Sequence, residues 1–128
     1  MTPNVFNAKC ASREVIDLIA DKWAAFIIDL LSRGTKRHSD LRRHIDGVPQ
    51  KMLTQTVRGL ERNGLVQRKV YPVVPPRADY SLTPLGATLV APLAALCMWA
   101  ESHLHEVEAA RARYARSASR SGAGAEAR

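Results

Sequence analysis

Five residues in one short stretch carry the most legible chemistry of the chain. Lys51, Thr54, Gln55, Arg58 and Arg62 recur at i, i+3, i+4, i+7 and i+11, so on a helix they share one face. Each can donate a hydrogen bond and none is negatively charged. A row of this kind suits an anionic partner rich in acceptors, with amide and hydroxyl groups reading edges and the cations holding phosphate. The alternative is a solvated basic face on an ordinary amphipathic helix, the usual meaning of a surface charge run. Cys10 is a second candidate. It follows Lys9 and stands close before a helix start, and both neighbours favour thiolate over thiol, though an inert thiol is an equal alternative. Catalysis finds little support. His38, His44, His103 and His105 lack metal-ligand spacing, since residues at i and i+2 such as His103 and His105 leave a helix on different sides. There is neither a glycine-rich phosphate loop nor a nucleophile elbow. No enzyme, cofactor or metal is therefore expected.

The helix that would present the row runs within Val48 to Leu65. Leu53, Val57 and Leu60 fall in one narrow arc opposite the polar row, with Met52 and Thr56 at its edge, as expected of a helix laid on a core. Pro49 suits the helix start, and Asn63-Gly64 supplies a left-handed stop.

Upstream, Ser12 is an N-cap for a first helix to Ala20, with Val15, Ile16, Leu18 and Ile19 as its apolar positions. Asp21 caps a second helix that carries Trp23, Phe26, Ile27, Leu30 and Leu31 as its core stripe and ends at Gly34. Thr35 to His38 has room for a short extended piece only. Ser39 then caps a brief helix, Asp40 to Ile45, with Leu41 and Ile45 inward and Arg42, Arg43 and His44 outward; Asp46-Gly47 makes the turn into the helix above. Downstream, Leu65 to Tyr71 and Ala78 to Leu82 read as two strands joined by a loop with three prolines that ends in Arg77. A short helix, a tight turn, a basic helix and a hairpin make a winged helix-turn-helix.

Thr83-Pro84 opens a long helix from Leu85 to Arg113, kinked near Pro92. Leu89, Leu93, Leu96, Ala100, Leu104 and Val107 lie on an apolar arc too wide for a domain of this size to cover, so the helix should pair with a second copy. Cys97 lies on that arc and reads as a buried small hydrophobe. Residues 115 to 128 are expected to be a disordered basic tail after a domain spanning 1 to 114.

Charge is concentrated where the row lies. Of the net +7, residues 33 to 77 hold eleven Lys or Arg against Asp40, Asp46 and Glu61, a net of +8. Neutralising phosphates with such a field releases condensed counterions. No apolar run reaches the roughly 18 residues of a bilayer crossing, and no basic segment precedes an apolar one at the N-terminus. A cytoplasmic location and no membrane partner are expected. Two cysteines without a Cys-x-x-Cys pair would rest there as thiols.

The chain resembles the HxlR-type winged helix-turn-helix family of bacterial transcription regulators. The resemblance rests on Cys10, Asp21-Lys22-Trp23, Ser39-Asp40-Leu41-Arg42, Gln50-Lys51-Met52-Leu53-Thr54, Leu60-Glu61-Arg62-Asn63-Gly64-Leu65, Val70-Tyr71-Pro72-Val73-Val74-Pro75-Pro76-Arg77, Tyr80-Ser81-Leu82-Thr83 with Gly86, and Leu96-Cys97-Met98-Trp99. It implies a mainly α fold with a small β-hairpin wing, flanked by N- and C-terminal dimerisation helices. It further implies a homodimer on a double-stranded, inverted-repeat operator, and an oxidant or electrophile response through a cysteine similar to Cys10. Ser39, Arg42, Arg43 and Gln50 join Lys51, Thr54, Gln55, Arg58, Arg62 and Arg77 as the expected DNA-contacting set. The chain departs from the family pattern at Ala11, Asp21, His38 and Pro49, where Pro, Gly, Phe and Ser are usual. Other readings are a regulator with a small-molecule effector held between its subunits and a nonspecific nucleic-acid-binding winged helix.

Overall fold

The computed structural model describes residues 11–125, with side chains described for residues 12–120. Two units are distinguished along the chain, Met1–Leu93 and Ala94–Arg128.

Helices α1 (Ala11–Ile19) and α2 (Lys22–Ser32) open the first unit. Ser12 lies inside α1 rather than capping it, because the helix already includes Ala11 at the edge of the described residues. Asp21 caps α2 as expected, its carboxylate accepting from the Trp23 backbone N–H at 3.2 Å. The buried stripe of α2 is Ala24, Ile27, Ile28 and Leu31. Phe26 is 45% exposed, and Trp23 and Leu30 are only partly covered, so the inward face is rotated from the expected one. Ile27 and Leu31 of the expected stripe are buried, and Ala24 and Ile28 complete the covered arc in place of Phe26 and Leu30.

Strand β1 (Lys36–Arg37) is the short extended piece, and α3 (His38–His44) follows it directly. Ser39 is not its cap. Arg37 occupies that position, and the orphan Arg37 backbone N–H is taken by Asp40 Oδ2 at 3.1 Å from within the first turn. After a turn with Gly47 at φ 80°, α4 (Gln50–Arg62) begins behind Pro49, which stands at the N-cap and offers no side-chain hydrogen bond. The end of α4 is a Schellman motif: Leu65 N–H donates to Leu60 O at 3.0 Å, Gly64 N–H donates to Glu61 O at 3.0 Å, and Gly64 has φ 76°.

Strands β2 (Val66–Tyr71) and β3 (Arg77–Leu82) form an antiparallel hairpin with Val66 opposite Leu82 and Tyr71 opposite Arg77. Strand β1 adds to the far side of β3, giving the order β1-β3-β2. The core joins Ile27, Ile28, Leu41, Leu53, Val57, Leu60 and Val66, so α2, α3, α4 and the sheet share one apolar interior.

The long terminal helix is broken. Thr83 caps α5 (Pro84–Ala87), its hydroxyl accepting from the Gly86 N–H at 3.0 Å, and α6 (Val90–Ser102) resumes beyond Thr88–Leu89. Pro92 has no N–H for the Thr88 carbonyl, and the chain answers with i→i−3 bonds from Thr88 and Leu89. Leu89, Val90 and Leu93 pack on the core of the first unit.

In the second unit the rest of α6 is exposed, with Leu96 at 66%, Met98 at 66% and Trp99 at 57%. Cys97 is exposed too, contrary to its expected burial, because no described residue covers that side of α6. Trp99 stacks on His103 with ring centroids 4.7 Å apart. Helix α7 (Leu104–Ala125) continues through residues 115–125, where a disordered tail was expected. The stretch Pro84–Arg120 also contains an 18-residue window apolar enough to cross a bilayer by length and composition, against expectation. An uninterrupted-run criterion misses it because Thr, Gly and Pro punctuate the window.

Candidate nucleic-acid interface

Helices α3 and α4 meet at the turn around Gly47, and the packing of Leu41, Leu53, Val57 and Leu60 fixes the outward side of α4. Lys51, Gln55, Arg58 and Arg62 are all exposed along that side. None of the four has a side-chain hydrogen bond or ion pair to a described residue. Thr54 differs from its neighbours. It is half-buried, and its hydroxyl meets His38 Nε2 at 3.2 Å, tying α4 to the start of α3. Burial first, and the nearby Arg42 charge second, push the His38 pKa down, so its neutral form is favoured. Its ring also lies against Tyr80 with centroids 6.5 Å apart.

The basic residues of α3 are not equivalent. Arg43 is bound to Asp40 at 2.6 Å, and the Arg37 backbone N–H, assisted by the Arg43 and Arg37 charges and opposed by burial, holds the Asp40 carboxyl below its usual range. Arg42 instead reaches α4, donating from Nη1 to Gln50 Oε1 at 3.1 Å. Ser39 is exposed beside them.

On the wing, Arg77 makes a two-pronged contact with Asp79, Nε to Oδ1 at 3.0 Å and Nη2 to Oδ2 at 3.1 Å. That hydrogen bonding lowers the Asp79 pKa and raises that of Arg77. The Arg77 guanidinium also lies 5.1 Å over the Tyr71 ring, with Lys69 Nζ at 5.2 Å from the same ring. Arg77 is thus presented in a fixed pose. The register puts Arg37 and Lys69 directly across from Asp79, so one carboxylate sits among three cations. Sequence reasoning passed over Asp79 as a plain alternating polar residue; the signal was the Arg-x-Asp spacing, which places both side chains on one face of a strand. Glu61 points away from the outward row, toward Arg68 on β2 at 3.5 Å. Between the wing loop and α3 lies an open cleft of about 610 Å³ lined by Arg37, His38, Ser39 and residues 73–78.

Cys10 lies outside the described residues. Of the expected pairing residues, Leu89 and Leu93 are partly covered by the first unit, whereas Leu96, Ala100 and Leu104 are exposed and Val107 is half-buried. Among the described residues no cluster of three or more His, Cys, Asp or Glu is placed to hold a metal ion.

A basic, amide-bearing helix set on a second helix and flanked by a two-stranded wing is the architecture of winged helix-turn-helix DNA-binding proteins. The HxlR-like helix-turn-helix family model matches residues 18–108, and the chain belongs to that family. The HTH-type transcriptional regulator YtfH of Escherichia coli K12 is 48% identical over 108 residues, covering 84% of this chain and 86% of that protein. Among solved structures, the transcriptional regulator ytfH from Salmonella typhimurium superposes with a TM-score of 0.81 at 45% identity, over 86% of this chain and 98% of the other. The reduced form of the redox regulator HypR gives 0.71 at 36% identity, over 77% and 97%. The protein is a transcriptional regulator of the helix-turn-helix type.

Proposed function

We propose that this regulator binds one operator sequence in double-stranded DNA as a homodimer, α4 entering the major groove and the wing holding the flanking backbone. The carrying observation is the row Lys51, Gln55, Arg58 and Arg62, exposed on α4 and unengaged by any described residue. A protein that spent these donors internally would have none for base edges and phosphates. Gln55 and Arg58, central in the row, read bases; Lys51 and Arg62 hold phosphate, and Arg77 on the wing joins them through the N–H groups that its contact with Asp79 leaves over. Ser39 and Arg43, both exposed on α3, add backbone contacts. Gln55→Ala or Arg58→Ala is expected to cost about 1–3 kcal/mol on the selected operator and far less on random DNA at the same salt. Lys51→Ala should weaken both alike. Equal losses for all three variants would favour the nonspecific nucleic-acid-binding reading.

The dimer reading is supported by the uncovered apolar side of α6, which a second copy would cover, and a two-fold dimer suits an inverted repeat. Such a protein acts in the cytoplasm on DNA and needs no membrane. Cys10 is the thiol switch of this reading, supported by Lys9 beside it and by likeness to HypR, whose description is that of a redox regulator. Diamide should change operator affinity in the parent and in Cys97→Ser, which controls for the second, exposed thiol, and leave Cys10→Ser unaffected. An equal response from Cys10→Ser would shift the reading to a small-molecule effector held between the subunits.

A further inference from the structure

Arg42 and Gln50 form the one hydrogen bond between an arginine of α3 and the outward face of α4 among the described residues, at 3.1 Å. A guanidinium has five N–H donors and no acceptor, so the side of the Gln50 amide that faces it must be the oxygen. The amide is therefore turned one way: Oε1 inward to Arg42, and the two N–H donors outward. Gln50 is the first residue of α4 behind Pro49, at the end of a recognition helix that reaches deepest among base edges. Arg43 cannot substitute for Arg42, because Asp40 holds it at 2.6 Å.

An unconstrained glutamine reads adenine with both ends of its amide, accepting from N6 and donating to N7. Arg42 takes one of the two lone pairs of Oε1, and its charge and remaining N–H groups make the pair a cationic, donor-rich cluster. The base that answers such a cluster best is guanine, which shows acceptors at both O6 and N7 in the major groove, whereas adenine would turn its N6 donor toward the guanidinium. We infer that Arg42 is a positioning residue that fixes the Gln50 amide so that the pair selects guanine over adenine at one base pair of the operator half-site. The inference rests on the sequence-specific reading above and deepens it.

The test is selection of bound DNA from a random duplex library by the full-length parent protein, by Arg42→Ala and by Gln50→Glu. Both residues are exposed, so neither change disturbs the core. The parent should enrich a motif with guanine at the column in question. Arg42→Ala, which frees Oε1, should change that column to adenine, by on the order of tenfold in relative affinity, while every other column stays. Gln50→Glu, an acceptor only, should lose guanine there and gain cytosine. A motif that is the same for parent and Arg42→Ala overturns the positioning role and leaves sequence-specific binding standing. Failure of the parent to enrich any motif overturns sequence-specific binding itself, and the inference with it.

Discussion

His38 joins the two helices of the motif through its contact with Thr54, and it does so as a neutral ring in a partly covered site beside Arg42. Burial and the Arg42 charge both oppose protonation, so the folded pKa lies below the 6.5 of the unfolded chain. As pH falls through 6.5 the unfolded chain takes up a proton that the folded chain refuses, and stability drops. The drop levels off once folded His38 is protonated as well. Asp40 and Asp79 are shifted down too, so their contribution is full above the unfolded carboxylate value and is lost as pH falls through their lower folded values. The two effects therefore occupy separate windows. His38→Phe should flatten the loss of stability just below neutrality and leave the steeper acid loss in place, as read from urea midpoints between about pH 5 and 8. An unchanged slope near pH 6.5 would mean that His38 is hydrated in the folded state. The sequence shows His38 where Phe is usual in the family it resembles; that Thr54 would be its partner was not visible, since the pair is sixteen residues apart.

Local signals marked some element boundaries and missed others: Ser12 lies within α1, and Arg37 rather than Ser39 stands at the N-cap of α3. Asp21, Asn63-Gly64 and Thr83-Pro84 act at the helix ends as their types imply, because capping involves only neighbouring backbone groups. The covered arcs depended on packing from elsewhere. Periodicity could not tell Phe26 from Ile28 on α2, since the sheet and α4 decide which arc is covered. Likewise Gly59 on α4 had no local reason, yet Leu18 of α1 lies 3.3 Å from where its Cβ would stand, so the two helices approach closely there. Gly86 is the sharper case. It sits on α5 over the carbonyl of Leu65, the same oxygen that accepts from the Thr83 N–H, and a Cβ would overlap that oxygen. Gly86→Ala must shift α5 away from the end of α4 and the start of β2. The expected cost is about 1–3 kcal/mol or more, seen as a lowered urea midpoint. A midpoint equal to the parent's would show that α5 can slide freely over Leu65.

Two concentrations stand out along the chain, one of charge and one of uncovered apolar surface. Basic residues gather between residues 33 and 77, while the uncovered apolar side chains Leu96, Met98 and Trp99 lie on α6. The first concentration could be counted from the sequence; the second could only be suspected, because a wide apolar arc does not say what covers it. In the single chain Leu96 is 66% exposed, so an aspartate there would remain hydrated and cost the isolated fold little. Against a second copy the same carboxylate would be buried without a partner, a penalty of about 3–5 kcal/mol, taken once on each side of a two-fold seam. That is enough to dissociate a dimer while leaving the winged domain folded. Leu96→Asp should therefore run as a monomer by light scattering with parent-like circular dichroism. Its operator binding should fall steeply, since two half-sites set about one helical turn apart no longer act at the effective concentration that linkage provides. Binding to a single half-site should be unchanged. Leu96→Asp that stays dimeric with full operator affinity would place the seam on another face of the molecule.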